Sequence, residues 1–318
     1  MTPTPTPVPV TTLLFTGVIV PARCVQASID ATNNPDYPYE KVREVVTGAD
    51  LAVGVLNATI SDRTGRTGCN WSYQMVGGSA NAAALGRAGF DLVSIASNHI
   101  KDCGPMKGWC DEAFLDTLAH LEAANVLTVG GGVDLEQALQ PVVVELNGTR
   151  YAFVSMGDIK MEEGVFARSD HPGIARLTPE NIQAVIQQAR QQADVVIALP
   201  HWGPEDVANP NALQRKQAQQ FVDAGADLVV GNHTHVIQAI QTLDGVPVFY
   251  GLGNFIFDQW YPDHRQGVIL LVRFQGSQYL GYELIPTHVD QDGQVFLAGP
   301  QEAAEILQRV EEVSEALR

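Results

Sequence analysis

The sequence predicts an α/β protein in which short buried strands alternate with helices. Two observations favour this class. Runs of Val, Leu and Ile too short for a helix recur along the chain, and segments with apolar residues at spacings of three and four lie between them. The chain has 318 residues, 45% hydrophobic and 17% charged, which is enough apolar material for a large buried core.

The first half of the chain carries three short apolar runs that are typical of strands buried on both faces. They are residues 12–16, 51–56 and 92–96, and the first strand is expected to end at Gly17. Between them, residues 39–46 and 79–88 have the spacing of helices with one apolar face. This is the strand-helix-strand order of an α/β fold.

The second half repeats this order and adds a hairpin. Asn147-Gly148 is a two-residue turn signal between strands predicted at 142–146 and 150–154. Helices are predicted at 179–192, 212–224 and 303–317, and strands at 195–199, 228–230, 246–250, 268–274 and 279–284, the last two antiparallel. No linker interrupts residues 12–318, so they are predicted to form one domain after a spacer at 1–11.

The N-terminal spacer is rich in Thr and Pro, a composition that stays extended and does not pack. It is interpreted either as a segment between a membrane anchor and the folded domain or as a trimmed boundary. No run approaches the ~18 apolar residues that span a bilayer. Membrane association is therefore expected only through an N-terminal anchor that is missing from this sequence.

The charge balance excludes one class of partner. The chain has 19 basic and 36 acidic residues, which gives a net charge of −17 at pH 7. Such a surface repels a phosphate backbone, because neutralising that backbone requires clustered Lys and Arg. We expect no nucleic-acid partner.

The four cysteines leave two alternatives open. Cys103 and Cys110 lie seven residues apart in a Gly-rich turn and could close a short disulfide loop, which would leave Cys24 and Cys69 as a second pair. The other interpretation is four free and partly buried thiols. Thiol chemistry at Cys24 would be a third class of function, but nothing in the sequence indicates that this thiol is activated.

Polar residues gather where the predicted strands end, which is where ligands bind in open α/β sheets. Four of the eight histidines lie there, His99, His201, His233 and His235, and Asn98 precedes the first. Because alternate residues of an extended segment point the same way, His233 and His235 are expected to offer two imidazoles to one ion. Neutral imidazole and a carboxamide oxygen suit Zn, Fe and similar ions.

The order of these motifs resembles the bacterial capsule-synthesis and poly-γ-glutamate-synthesis family (CapA/PgsA-like), a branch of the calcineurin-like metallophosphatases. The resemblance rests on Gly-Phe-Asp-Leu-Val-Ser-Ile-Ala-Ser-Asn-His at 89–99 with Asp102, His-Trp-Gly at 201–203 with Glu205, the segment 223–235 that ends Gly-Asn-His-Thr-His, and Gly-Asn-Phe-Ile-Phe-Asp at 253–258. It implies a four-layer α/β sandwich of the metallophosphatase type with a dinuclear metal centre at the strand ends.

The resemblance also implies roles for single residues. His99 would protonate a leaving oxygen or stabilise developing charge, and Arg23 would contact an anionic substrate. Apart from the resemblance, Glu205 and Asp258 lie near predicted strand ends and are interpreted as support for a ligating histidine, with replacement of a missing acidic ligand as the alternative. Asn254 is expected to line the pocket or to satisfy a tight turn. Metal-ligand positions of the family fall on Asn98, His201, His233 and His235.

Two departures from the family pattern affect the metal centre. Val18 stands where the first motif has an aspartate, and Asn57 stands where the second motif has a glutamate. The alkyl side chain of Val18 cannot ligate a metal. Asn57 could still ligate one through its amide oxygen, but that ligand carries no charge. Two divalent ions would be poorly compensated by Asn and neutral His, so one ion (Mn, Zn or Fe) is expected rather than two.

Two functions remain as hypotheses. The first is a metal-dependent hydrolase of a phosphoester, linked to capsule or poly-γ-glutamate synthesis, with an anionic small molecule or a polymer precursor as substrate. The second is a non-catalytic accessory or scaffold of the same process, within a polymer-synthesis complex. Direct binding of a polyanion is disfavoured by the charge of −17. In both cases we expect the protein at the extracellular face of the membrane.

Three aromatic residues have two possible roles. They could stack on a sugar or peptide, or they could pack in the core: Trp202, Trp260 and Tyr261.

Overall fold

The computed structural model describes residues 9–63, 65–66, 68–70, 72–102, 110–158 and 163–317. Its strands are β1 (Val10–Ile19), β2 (Leu51–Leu56), β3 (Thr59–Ile60), β4 (Val76–Gly77), β5 (Leu92–Ser94), β6 (Leu127–Val129), β7 (Gly131–Gly132), β8 (Val142–Leu146), β9 (Thr149–Asp158), β10 (Gly173–Ile174), β11 (Val195–Trp202), β12 (Leu228–Val230), β13 (Ile240–Leu243), β14 (Val246–Phe249), β15 (Asn254–Ile256), β16 (Gln266–Gln275), β17 (Gln278–Val289) and β18 (Val295–Leu297). Its helices are α1 (Arg23–Thr32), α2 (Arg43–Val46), α3 (Ala80–Ala88), α4 (Asp111–Ala123), α5 (Leu135–Ala138), α6 (Pro179–Gln192), α7 (Ala212–Ala224) and α8 (Pro300–Glu315).

Two large sheets carry the fold. The first has the order β18-β17-β16-β1-β2-β5-β6, with β15 also pairing with β1. Strands β1, β2, β5 and β6 are parallel, and β16, β17 and β18 add an antiparallel extension. The second sheet has the order β13-β14-β12-β11-β9-β8, with β9, β11, β12 and β14 parallel. Asn147 and Gly148 both have positive φ, as the predicted β8–β9 turn requires.

Three apolar layers hold the sheets and helices together. Between the sheets, Phe15 and Val53 of the first pack with Phe153 and Ile197 of the second. On the outer face of the first sheet lie α1, α3 and α4, and on the outer face of the second lie α6 and α7. The order is helices, sheet, sheet, helices, which confirms the predicted four-layer α/β sandwich.

The first strand differs from its prediction in length. It continues past Gly17 to Ile19, with a shift of register between Phe15 and Val18. A Cβ at Gly17 would lie 2.2 Å from the carbonyl oxygen of Gly253, so only glycine permits this close approach of two backbones. The expected strand end was therefore wrong, because the glycine marks a strand contact and not a turn.

Other segments also depart from the sequence prediction. The helix predicted at 39–46 is a 3₁₀ turn at Tyr37–Tyr39 followed by the short α2. Helix α4 was not predicted. Strand β1 begins at Val10, within the segment 1–11 assigned to the spacer, and residues 1–8 lie outside the described residues. Among the helices that the structure describes, none has the length and hydropathy of a membrane span.

The described cysteines are oxidised. Cys24 is bonded to Cys69, and Cys110 is also disulfide-bonded, while its predicted partner Cys103 lies outside the described residues. The free-thiol alternative is wrong for the cysteines that the structure describes. Thiol chemistry at Cys24 has no basis, because its sulfur is bonded to Cys69.

Candidate metal centre

The predicted site residues follow strands of both sheets, and these strand ends meet. Asn98 follows β5 of the first sheet, and His201 lies at the end of β11 of the second. The Nε2 atom of His201 lies 3.1 Å from Oδ1 of Asn98. His233 and His235 follow β12, and the rings of His201 and His233 are 4.8 Å apart. The structure therefore brings Asn98, His201, His233 and His235 to one place.

His233 and His235 reach the site by a backbone path that differs from the expectation. They were expected to share one face of an extended segment, but their φ angles are 105° and 59°, in the left-handed region. Such conformations are costly for residues with side chains and persist where the surrounding structure imposes them. The two rings lie 6.0 Å apart. The two imidazoles are neighbours as predicted. The reason given for it, an extended segment with both side chains on one face, was wrong.

Asn254 fixes the tautomer of His235. Its Nδ2 group donates to the carbonyl oxygens of His264 at 2.8 Å and His235 at 3.3 Å. This leaves Oδ1 of Asn254 as an acceptor, and Nδ1 of His235 lies 2.9 Å from it. Nδ1 must therefore carry the proton, and Nε2 of His235 keeps a free lone pair. Asn254 is the first residue of β15, and its side chain orients a candidate ligand.

Glu205 completes a group of ligand atoms with the two histidines. One ligand atom each from Glu205, His233 and His235 lies within 4.8 Å of the others, so this group could hold a metal ion. Oε1 of Glu205 lies 3.9 Å from Nε2 of His235. Glu205 was predicted mainly to support a ligating histidine, with replacement of a missing acidic ligand as the alternative, and the structure places it among the candidate ligands. It also brings the negative charge that the neutral ligands lack.

Buried polar atoms without partners test whether the site suits a cation. The side chains of His201 and His233 are 1% and 3% exposed, and Nδ1 of each has no hydrogen-bond partner among the described residues. Unpaired buried nitrogen atoms cost free energy, and a cation would satisfy lone pairs at such positions. With the proton on Nε2, His201 donates to Oδ1 of Asn98 at 3.1 Å, and its Nδ1 atom keeps the lone pair.

Burial keeps the three imidazoles neutral. It lowers the pKa of His233 to about 3 and that of His235 to about 4, with the neighbouring histidines adding to the effect at His233. Burial also holds the pKa of His201 well below its ordinary value. Neutral imidazole is the form that ligates metals, so the site needs no proton release from histidine at neutral pH.

The metal-free protein is expected to lose stability as the pH falls below about 6.5. The unfolded histidines bind protons near that pH, whereas His233 and His235 resist protonation down to about 3 and about 4 while folded. Each such histidine contributes up to about 1.4 kcal/mol per pH unit inside this window. Urea unfolding in chelator between pH 7 and 4 measures the slope. The slope should fall in His233→Gln and remain in His288→Gln, and an unchanged slope in the first variant would contradict the assignment.

A second cluster positions His99. Its Nδ1 atom contacts the carboxylate of Asp102, and its backbone N–H donates to Oδ1 of Asn57 at 2.9 Å. Asn57 is fully buried, and its Nδ2 group has no partner among the described residues. Asp102 was quoted in the family motif but not predicted as a site residue, and its spacing of three from His99 was the available signal. Asn57 holds the loop that carries His99.

Arg23 and Asp258 pair with each other. The guanidinium forms two-point contacts with the Asp258 carboxylate, and both side chains are buried. The backbone N–H of Cys24 donates to Asp258 at 3.0 Å, and Arg23 also donates to the carbonyl oxygen of Ser72 at 3.0 Å. Asp258 was predicted to support a histidine, but it neutralises Arg23 instead. The charge of Arg23 is therefore shared with Asp258 and not left free for a substrate.

Replacing Asp258 by Asn is expected to lower the free energy of unfolding by about 3 kcal/mol, because removing one member of a buried pair leaves the other charge uncompensated. Asp194→Asn is the matched control, since Asp194 pairs with Arg150 at the exposed surface and should change stability by less than about 1 kcal/mol. Chemical denaturation measures both. Equal effects in the two variants would contradict a special role for the buried pair.

The aromatic residues divide between core and surface. Trp202 is fully buried and stacks on Tyr250 at 5.8 Å, which confirms packing as its role. Trp260 and Tyr261 are exposed.

Comparison with known proteins places this chain in a family. The family described as "Bacterial capsule synthesis protein PGA_cap" matches residues 12–259. The "PGA biosynthesis protein CapA" of Bacillus subtilis (strain 168) is 26% identical over 278 residues, covering 87% of this chain and 71% of the relative. The "Capsule biosynthesis protein CapA" of Bacillus anthracis is 25% identical over 286 residues, covering 88% of this chain and 68% of the relative.

A solved structure shows the same fold at low sequence identity. A phosphatase from Mycoplasma pneumoniae superposes with a TM-score of 0.55 and 10% identity, covering 88% of this chain and 94% of its own. This likeness shows the fold alone, which is that of the metallophosphatases, as predicted. The chain belongs to the bacterial capsule synthesis protein family, on a metallophosphatase-like fold.

Proposed function

We propose that this protein is a metal-dependent phosphoester hydrolase that acts in capsule or poly-γ-glutamate synthesis. The observation that carries the proposal is the convergence of Glu205, His233 and His235 beside buried nitrogen atoms that have no partner among the described residues. The names of the two CapA relatives support the process, and the metallophosphatase-like fold supports the reaction class.

The donor set suits one divalent ion, such as Mn, Zn or Fe. Glu205, His233 and His235 would hold it, with His201 and Asn98 at the adjoining edge. A bound ion would supply Lewis-acid activation of water and of a phosphoryl oxygen. A single carboxylate compensates the charge of one divalent ion better than the charge of two such ions. At the two family positions without a carboxylate, Val18 packs into the apolar core and Asn57 binds the backbone of His99.

His99 is proposed to handle the proton of the reaction. Hydrolysis joins a water oxygen to phosphorus and breaks the ester P–O bond, and the leaving oxygen then needs a proton. Asp102 contacts Nδ1 of His99 and thereby fixes the ring, so that Nε2 is the atom that would donate. Arg23, held by Asp258, would act on the substrate only as part of that pair.

An extracellular location is proposed from the disulfides. Cys24–Cys69 and the bonded Cys110 are typical of proteins that fold in an oxidising compartment. That location fits a role in envelope polymer synthesis, where a polymer precursor or another anionic small molecule would be the substrate and other synthesis proteins would be partners.

Hydrolysis of 4-nitrophenyl phosphate and bis(4-nitrophenyl) phosphate tests the proposal. We expect turnover that needs added Mn, Zn or Fe, is lost in His201→Ala and persists in His288→Ala, whose histidine pairs with Glu302 away from the site. The absence of turnover with every metal would contradict the hydrolase proposal.

A non-catalytic accessory role is the second candidate, and Val18 and Asn57 favour it, because neither supplies a charged ligand. In that case the same fold would serve as a scaffold within the synthesis complex. A metal-dependent rate that disappears in His201→Ala would contradict the scaffold role.

A further inference from the structure

A fully buried lysine follows the motif that carries Asn98 and His99. Lys101 lies in the loop after β5, two residues beyond His99, and its side chain has no exposed surface. Lysine is almost never buried to this extent unless protein groups replace the water around its ammonium, because removing a charge from water is costly. The groups that replace the water at Lys101 therefore indicate its role.

The ammonium of Lys101 joins its own loop to two other segments. Nζ donates to the carbonyl oxygens of Gly164 at 2.9 Å and Pro172 at 2.8 Å, both in the segment between β9 and β10. It also forms an ion pair with Asp111, the first residue of α4. These three acceptors match the three protons of a charged ammonium. Burial lowers the pKa of Lys101, and the carboxylate of Asp111 opposes this shift.

A histidine holds the carboxylate of Asp111 in place. Nδ1 of His171 lies 3.2 Å from Oδ2 of Asp111, and its Nε2 atom lies 3.4 Å from Nζ of Lys101. With the proton on Nδ1, the ring donates to the carboxylate and turns its lone pair towards the ammonium. Lys101, Asp111 and His171 form one connected group, which we call the Lys101 cluster.

The Lys101 cluster connects the two sheets outside the metal centre. Strand β5 belongs to the first sheet and β9 to the second, and the loops that follow these strands meet at the ammonium. The contact of Asn98 with His201 also crosses between the sheets, but both of those side chains are candidate ligands. The cluster is therefore a link between the sheets that does not use a candidate ligand.

Two other anchors of the loop lie in the first half of the chain. The backbone N–H of His99 donates to Asn57, and Oγ1 of Thr59 lies 2.6 Å from the carbonyl oxygen of Asp102. These contacts fix the loop to the segment after β2, but not to the second sheet, which carries the candidate histidine ligands. The position of the His99 ring relative to those ligands depends on contacts that cross the sheets, and Lys101 provides one.

We infer that Lys101 is a positioning residue, which holds the His99–Asp102 pair at a fixed distance from the histidines of the second sheet. Its ammonium is buried among protein groups, so it acts through the loop and not by touching the substrate. The inference rests on the proposed function, because the proton that His99 would donate belongs to that reaction. A misplacement of about 1 Å can lower a rate about 100-fold.

Two aryl phosphates with different leaving groups test this role. Phenol is a poorer leaving group than 4-nitrophenol, so hydrolysis of phenyl phosphate depends more on a well-placed proton donor. In Lys101→Met, which keeps the length of the side chain and removes the ammonium, we expect kcat for phenyl phosphate to fall about tenfold or more, and kcat for 4-nitrophenyl phosphate about threefold or less. Metal content should stay unchanged. Lys41→Met, at an exposed position, is the matched control.

Hydrogen exchange of the His99 amide measures the same effect without turnover. Its N–H donates to Asn57, and we expect it to exchange about ten times faster or more in metal-free Lys101→Met, while the amides of β11 keep their rates. A second variant, Asp111→Asn, keeps a neutral acceptor for Lys101 and should accelerate exchange at His99 about threefold. This variant provides the test if Lys101→Met does not fold.

The outcomes separate this inference from the hydrolase proposal. Equal losses of kcat for the two esters, or exchange at His99 that keeps the wild-type rate in both variants, would overturn the positioning role and leave the hydrolase in place. If the wild-type protein hydrolyses neither ester, hydrogen exchange decides alone. Faster exchange confined to the His99 loop would support the positioning role, and unchanged exchange or an equal acceleration throughout the protein would overturn it.

Discussion

Replacing Asn57 by Asp is expected to destabilise the metal-free protein and to make its stability depend on divalent metal. Asn57 is fully buried, its Oδ1 accepts from the backbone of His99, and its Nδ2 has no described partner. Aspartate keeps the acceptor and places a second oxygen where the unpaired nitrogen now lies. A buried carboxylate without a counter-charge costs several kcal/mol, so we expect a loss of at least about 2 kcal/mol in chelator.

Added metal should reverse this loss. If Asn57 lies at a ligand position, a divalent ion compensates the new carboxylate, and metal affinity should rise about tenfold or more. Urea unfolding in chelator and in Mn or Zn measures both effects. Asn33→Asp, at the exposed C-terminal end of α1, controls for the added charge. A loss of stability in Asn57→Asp that metal leaves unchanged would contradict the ligand position.

Replacing His99 by Asn is expected to lower kcat about 100-fold or more while the metal content stays unchanged. A positioned general acid contributes about 10²–10⁴-fold, and the contact of Nδ1 with Asp102 leaves Nε2 as the group that would give the proton. Initial rates and elemental analysis on the same samples measure the two quantities. His288→Asn is the control. An unchanged kcat would contradict the role of His99, and a parallel loss of metal would show that His99 acts through the metal centre.

Much of the fold could be predicted because local pattern and tertiary environment agree. The strands β2, β8 and β12 and the helices α6 and α7 have the predicted bounds. Each combines a clear period with a cap or turn residue, such as Thr178 and Pro179 at the start of α6. Strand β1 was predicted too short because Gly17 is normally a turn signal, and only the contact with Gly253 reveals its other use.

Most residues of the site could be predicted from the sequence, but the contacts between them could not. Histidines at strand ends show in the sequence, whereas the ion pair of Arg23 with Asp258 joins residues 235 positions apart and depends on the fold. The positive φ of His233 and His235 has no local signal, because only a few per cent of non-glycine residues adopt it and the enrichment of histidine among them does not single out these two. The hydrogen bond from His235 to Asn254 is likewise set by tertiary structure.

Elemental analysis of the full chain, equilibrated with Mn, Zn or Fe and then freed of unbound ions, tests the central claim most directly. The claim is that neutral histidines and Glu205 hold one divalent ion despite Val18 and Asn57. We predict one ion per chain, lost in His233→Ala and kept in His288→Ala. No bound ion with any of the three metals would contradict the metal centre, and two ions per chain would contradict the single-ion site.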